Sequence, residues 1–457
     1  MRVRTTARVA VALLAAAALA TGCASGDDQP AKPPSASPTG PSEVTLAVYG
    51  PPAVVAAYKR LAADFGATHP KTVVKVTSYG THGQALDAMR AAAAKGDPPD
   101  LFQVDGDDLP ALTADKEIQR VDDLLSQREV DFGDGYTRSS LEAFSSDSAL
   151  QCMPTDVSPL VVYYNTRLID LSLASEPDRR PVTQETGWTL DEFARAAGLA
   201  RHPGVRGLYV SPDLAQVAPF IWSGGGDLVD DPDAPKSLAL SEDSSATALR
   251  NFLDVVRNPD LTFDQAALRK SSPVQRFKAG RLGMLLGTRD LTPVLRAQQG
   301  LNFDVMPLPR AGGAATDATQ KGLCIAAESD HVSAAADLLT FLVSTKSADA
   351  LAATGYVQPT NLDAVNGDSF LQRGQRPLHA EVFERELRHV QPLPRTRYWP
   401  VVRRATVAPL SHLYYDTFIE PLADRLAAID QASVQLFDPN ATPSPSPSSS
   451  PSASPSG

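Results

Sequence analysis

A concentrated basic face is missing from this sequence. The formal charge is −11, and the Lys and Arg residues are outnumbered and dispersed. That excludes a nucleic-acid binder, which needs basic side chains gathered on one surface; the acidity speaks for solubility and against self-association. Long apolar runs are missing too. The run from Val9 to Ala20 falls short of the roughly 20 residues a membrane-spanning helix requires, and no later stretch is longer. Catalytic signatures are absent: there is no H-E-x-x-H, no G-x-S-x-G and no G-x-x-x-x-G-K-[ST]. The triple glycine at 224–226 lacks the Lys and helix of a phosphate loop. The seven histidines are scattered, and none pairs at metal-ligand spacing. No acid pair is placed as glycoside hydrolysis would need. An enzyme is therefore not expected, and no cofactor or metal is implied. Aromatic residues make up only 6 % of the chain.

The N-terminal segment has what a targeting signal needs. Arg2, Arg4 and Arg8 precede the apolar run, which ends Leu19-Ala20-Thr21-Gly22-Cys23. A short apolar core with a basic start fits a cleaved signal over residues 1–22. Small residues before a single Cys resemble a bacterial lipobox, which implies lipidation at Cys23 and anchoring on the outer face of the cell membrane. Removing the three arginines ahead of Cys23 takes the charge three units further negative. Residues 23–42 read as a Pro/Ser/Gly spacer, and 438–457 as a Ser/Pro-rich tail too polar to offset its ordering entropy. With Cys23 set aside, Cys152 and Cys324 remain. In an oxidising compartment the favoured reading is a disulfide; two buried thiols are the alternative.

Residues 43–437 are enough for two cores. Val44, Leu46 and Val48 alternate as in a strand, and Val54, Tyr58, Leu61 and Phe65 recur at helical spacing. Val74 and Val76 give a second strand. Leu86, Met89 and Ala93 give a second helix closed by Gly96, and Leu101–Val104 gives a third strand. This rhythm predicts an α/β lobe with a mainly parallel sheet. Further on, Leu160–Tyr164 reads as a strand. Thr189 to Glu192 fits a capping box, and Leu249, Phe252, Leu253 and Val256 share a helix face.

Several blocks then match one family in order. They are Pro98–Phe102, Cys152–Leu160 running into Val161–Asn165, Gly224–Asp230, Phe277-Lys-Ala-Gly-Arg-Leu-Gly-Met284, Asp304–Pro309, Gly355 with Pro359, and Tyr398-Trp399 before Val401–Arg404. Together they resemble the family 1 extracellular solute-binding proteins of ABC importers, the group that includes maltose-binding protein. The resemblance implies a periplasmic-binding-protein-like fold of two discontinuous α/β lobes joined by a hinge. One lobe is expected over 43–153 and 309–362, the other over 154–308 and 363–437. It implies a monomer that captures a small polar ligand, a sugar or oligosaccharide by preference, and delivers it to membrane permeases.

In open α/β sheets ligands bind beyond the carboxyl ends of strands. By position, the expected contacts are Tyr49 and Gly50 after the first strand, Gln103, Asp105 and Asp107 at the third, and Asp156 and Ser158 on the crossing segment. Trp222 and Gly225 near the glycine turn, Arg289 after Gly287, and Trp399, where the family stacks a ring on sugar, complete the set. Each has a structural alternative as core packing, turn or surface charge. Tyr49 and Arg289 depart from the aromatic pattern of sugar binders, and an exposed Arg suits carboxylate or phosphate. An anionic or non-sugar solute therefore stays open, as does a sensor or adhesin built on the same scaffold.

Overall fold

The computed structural model describes residues 42–176 and 179–439. The signal, Cys23, most of the spacer and most of the tail lie outside the described residues. Among the described residues the strands are, in chain order, β1 Ser42–Tyr49, β2 Thr72–Tyr79, β3 Leu101–Asp105, β4 Ile118–Gln119, β5 Ser145–Ser146, β6 Ala149–Leu150, β7 Met153–Pro159, β8 Val161–Asn165, β9 Arg206–Tyr209, β10 Leu282–Gly287, β11 Phe303–Met306 and β12 Ala318–Ala326. Among the described residues, no helix is long and apolar enough to cross a membrane.

The first sheet has the order β2-β1-β3-β12-β4, with β7 also pairing with β12. β1 runs parallel to β2 and β3, as the alternating strand–helix pattern requires. The helix Pro52–Thr68 starts with Pro in its first turn, where a missing N–H costs nothing, and buries Val54, Ala57, Tyr58, Leu61 and Phe65. β12, by contrast, is antiparallel to β3, β4 and β7. The sheet is therefore mixed rather than mainly parallel, because its central strand arrives from the far side of the molecule.

The second sheet has the order β11-β8-β10-β9. Both of its faces are buried, so the central runs Val161–Tyr164 of β8 and Leu282–Leu286 of β10 carry no polar side chain other than the Tyr hydroxyls. Val161 and Tyr163 of β8 enter one core with Leu285, Phe303 and Val305, whereas Val162 and Tyr164 enter another with Met284, Leu286 and Met306. The period-2 alternation thus splits one apolar run between two cores. A third large core lies on the first sheet.

The chain leaves the first sheet late. All of β7 pairs with β12, and β8 belongs wholly to the second sheet. The changeover between the two sheets falls at Pro159-Leu160. Segment 306–318 returns to the first sheet. Gln358 then bonds β7 through the Val157 N–H and the Asp156 carboxylate, before the chain passes to Val365 and Phe370 of a second-sheet core. Cys152 and Cys324 are joined, with Cα atoms 4.4 Å apart. The expected disulfide is present and wholly buried.

Candidate functional site

The carboxyl end of β3 turns through Gly106–Asp108, a single 3-10 turn in which Asp105 and Asp108 bond each other's backbone N–H groups. This turn, with the start of β12, forms one wall of a cavity of about 510 Å³. Asp105, Asp107, Thr113, Glu142 and Asp317–Gln320 line it from the first-sheet side. Val390–Arg395 and Arg403 close it from the side of the second sheet. The cavity therefore lies between the two sheets' territories, beside the crossing segments.

Three polar contacts tie the walls together. Arg403 Nη1 donates to Asp107 Oδ2 at 2.5 Å, Arg397 Nη2 to Asp115 Oδ2 at 2.9 Å, and Arg395 Nη2 to the Glu142 carbonyl at 3.1 Å. Arg397 and Asp115 are both partly exposed, so that pair contributes no more than about 1 kcal/mol. Asp107 is more enclosed, and burial raises its carboxyl even against the attraction of Arg403. Burial also pushes Asp317 up to about 7, with Arg403 opposing.

Behind Asp105 lies a second polar network. The Tyr49 hydroxyl donates to the Asp105 carboxylate, and the Tyr49 N–H donates to Gln103 Oε1 at 3.1 Å. His82 Nε2 sits 2.6 Å from Asp108 Oδ2, and its Nδ1 is 3.5 Å from Asp105. Lys321 Nζ lies 3.7 Å from Asp156 and 5.7 Å from the centre of the Tyr49 ring. These groups fix Asp105 from behind, whereas only Asp105 itself faces the cavity.

The expected contact residues divide accordingly. Asp105 and Asp107 line the cavity. Tyr49 and Gln103 are buried supports. Gly50, at φ +130°, lets the chain turn after β1. Asp156 accepts the Gln358 N–H at 3.0 Å, and Ser158 Oγ accepts the Arg289 N–H at 2.6 Å, so both hold the crossing segments together. Gly225, at φ +83°, closes the helix Leu214–Ser223 in the left-handed conformation glycine favours. Trp222 is half-buried in a neighbouring hollow of about 300 Å³, which shares the wall Pro392–Arg395 with the cavity.

Two expectations are corrected. Arg289 is fully buried. Its guanidinium donates to the carbonyls of Gly355 and Phe370 at 3.2 and 2.8 Å and lies over the Phe370 and Phe383 rings. It faces the core that holds Phe370 and Phe383, not the cleft. Trp399 is 1 % exposed and packs in a second-sheet core near Phe437. As the first residue of the helix Trp399–Tyr415 it is turned toward the helix Leu422–Phe437. The residues missed by sequence reasoning are Arg395, Arg403, Glu142 and Asp317. Only Arg403 carried any signal, as part of the Tyr-Trp-x-Val-Val-Arg block.

Burial of several carboxyls sets the expected pH dependence of stability. Asp156, Asp317 and Glu386 are pushed up by burial to about 6, about 7 and about 7. Carboxyls in an unfolded chain titrate near ~4. From there up to about 7 the folded protein holds protons that the unfolded chain has released, so stability falls as pH rises through that window. His82, raised mainly by its hydrogen bond to Asp108, acts in the same direction. His389, lowered by burial, opposes. The melting temperature is expected to rise on going from pH 8 to pH 5.5. Calorimetry showing a steady fall over that range would contradict the assignment.

The fold has well-known counterparts. It is similar to the ABC substrate-binding protein Lmo0181 from Listeria monocytogenes in complex with cycloalternan, at 17 % identity and a TM-score of 0.72, covering 86 % of this chain and 99 % of that one. It is similar to the GacH receptor of Streptomyces glaucescens, solved unliganded and with acarbose, at 19 % identity and a TM-score of 0.71, covering 87 % and 98 %. UgpB from Mycobacterium tuberculosis, in complex with glycerophosphocholine, matches at 19 % identity and a TM-score of 0.69, covering 87 % and 98 %. A search of curated protein sequences finds no match. A sequence profile described as bacterial extracellular solute-binding protein matches residues 60–377. With that match spanning well over half of the chain, the chain belongs to the bacterial extracellular solute-binding protein family.

Proposed function

We propose that this protein captures a small polar solute of the sugar class in the inter-lobe cleft and delivers it to the permeases of an ABC importer. It does so from the outer face of the membrane, held there by lipid on Cys23 after removal of residues 1–22. The observation that carries this reading is the enclosed, hydrogen-bonding cavity lined from both sides and bordered by short crossing segments. A ligand touching both walls favours the closed form by its differential affinity for it. Release follows when the walls part, with no chemical step. The lobes divide near Pro159-Leu160, within 306–318 and near 361–362, and these segments are the hinge.

The test is a thermal-shift screen of the full chain in detergent against neutral sugars and oligosaccharides, amino sugars, sugar acids and small anions. A true ligand at about 100 times its dissociation constant stabilises by ~2.7 kcal/mol. A shift with any sugar-class compound supports the reading. Shifts confined to non-sugar anions, or none at all, overturn it.

A further inference from the structure

We propose that the solute is positively charged, an amino sugar or a short amino-sugar oligomer, and that the cleft selects it over a neutral sugar or an anion. This inference rests on the solute-binding reading above and narrows its ligand class.

The lining supplies the argument. Five carboxylates face the cavity, from Asp105, Asp107, Glu142, Asp147 and Asp317, against two guanidiniums. Both guanidiniums are engaged, Arg403 by Asp107 and Arg395 by the Glu142 carbonyl, so neither is a free anion receptor. Among the described residues, no aromatic ring lines the cavity. A neutral sugar, which needs ring faces against its C–H surfaces, finds no platform there. Arg289, the cation whose sequence position suited an anion, points into a core.

One acid is left waiting for a donor. Asp317 is 7 % exposed and lines the cavity. Its Oδ1 accepts the Ala318 N–H at 2.7 Å. No hydrogen bond reaches its Oδ2 among the described residues. An enclosed carboxylate acts only as an acceptor and is costly until it is paired. Arg403 already shows how a cation sits here: its guanidinium is attracted by Asp107, Asp317 and Asp213 together. Three acids around one cation leave negative charge for a ligand amine, and the Thr113 and Ser139 hydroxyls and the Gln320 amide lie along the same walls for a sugar's hydroxyls.

Isothermal titration of the full chain in detergent with three probes tests this. They are fully deacetylated chitotriose, which is cationic, its triacetyl counterpart, which is neutral, and trigalacturonate, which is anionic. The deacetylated trimer is expected to bind at least ten-fold tighter than either other probe, and to weaken at least ten-fold on Asp317→Asn. Asp105→Asn, at a more exposed position, is expected to weaken it several-fold and serves if the first variant does not fold. Equal or tighter binding of the acetylated or anionic probe overturns the charge assignment, as does unchanged affinity in both variants. Silence with all three probes also overturns it. In that case a maltotriose response in the thermal screen leaves the solute-binding reading standing, and silence there removes both.

Discussion

Replacing Cys152 and Cys324 together by alanine is expected to lower the unfolding free energy by about 2–5 kcal/mol. The bond closes a loop with a sequence separation of 172. The loop-entropy relation puts the effect for such a loop near the top of that range, at ~5 kcal/mol, and any structure left in the unfolded chain reduces it. The position matters as much as the length. Cys324 lies in β12, and Cys152 directly precedes β7, so the bond pins the strand that leads out of the first sheet to the strand that returns to it. Both sulfurs are fully buried, so a mild reductant is expected to act slowly on the folded protein and quickly in denaturant. Alanine is the cleaner probe, since serine would bury two unsatisfied hydroxyls. The measurement is the urea midpoint of the double variant against the parent. An unchanged midpoint would show that packing of β7 on β12 alone carries the contact.

The second large effect is expected at Trp399. Trp399→Ala should cost about 3–5 kcal/mol, the range for emptying a fully enclosed aromatic site. The ring packs in the core with Val402, Leu426 and Phe437, and its Nε1 has no hydrogen-bond partner among the described residues. Trp399→Phe therefore forfeits volume but no hydrogen bond, and should cost less than half as much. Neither change is expected to alter solute affinity by more than about two-fold in protein that remains folded. The decisive comparison sets urea midpoints beside titrated affinities. A Trp399→Phe protein of near-parental stability that loses ten-fold or more in affinity would return this ring to the binding surface.

The two outcomes for tryptophan and arginine show where reading from sequence works and where it stops. Local signals came through well. The apolar run Leu160–Tyr164 became β8, and the Thr189 box is present with both of its bonds, Glu192 N–H to Thr189 Oγ1 and Thr189 N–H to the Glu192 carboxylate. Asp105 and Asp107 were legible as cavity-lining positions because the end of a strand is a local property. Arg289 was not, since a wholly buried arginine bonded only to carbonyls runs against the usual exposure of that side chain. Nor was the orientation of Trp399, because spacing says which residues share a helix face and not which neighbour that face will meet. The partners of Asp107 and Asp115 lie 296 and 282 positions away, and no periodicity links them. The placement of β12 was hidden for the same reason, and with it the mixed character of the first sheet.

That placement bears on the order in which the molecule can assemble. β12 contacts β3, β4 and β7. A chain emerging from the ribosome therefore cannot complete its first sheet until synthesis has reached Ala326. The helix Trp399–Tyr415, which supplies Arg403, comes later still. Pairings between such distant segments form slowly, because the loop between them must close before any contact rewards it. The nascent polypeptide thus has a long interval in which its first sheet is unfinished although every strand of the second has been made. Fragments ending before β12 should remain protease-sensitive for want of the same strand.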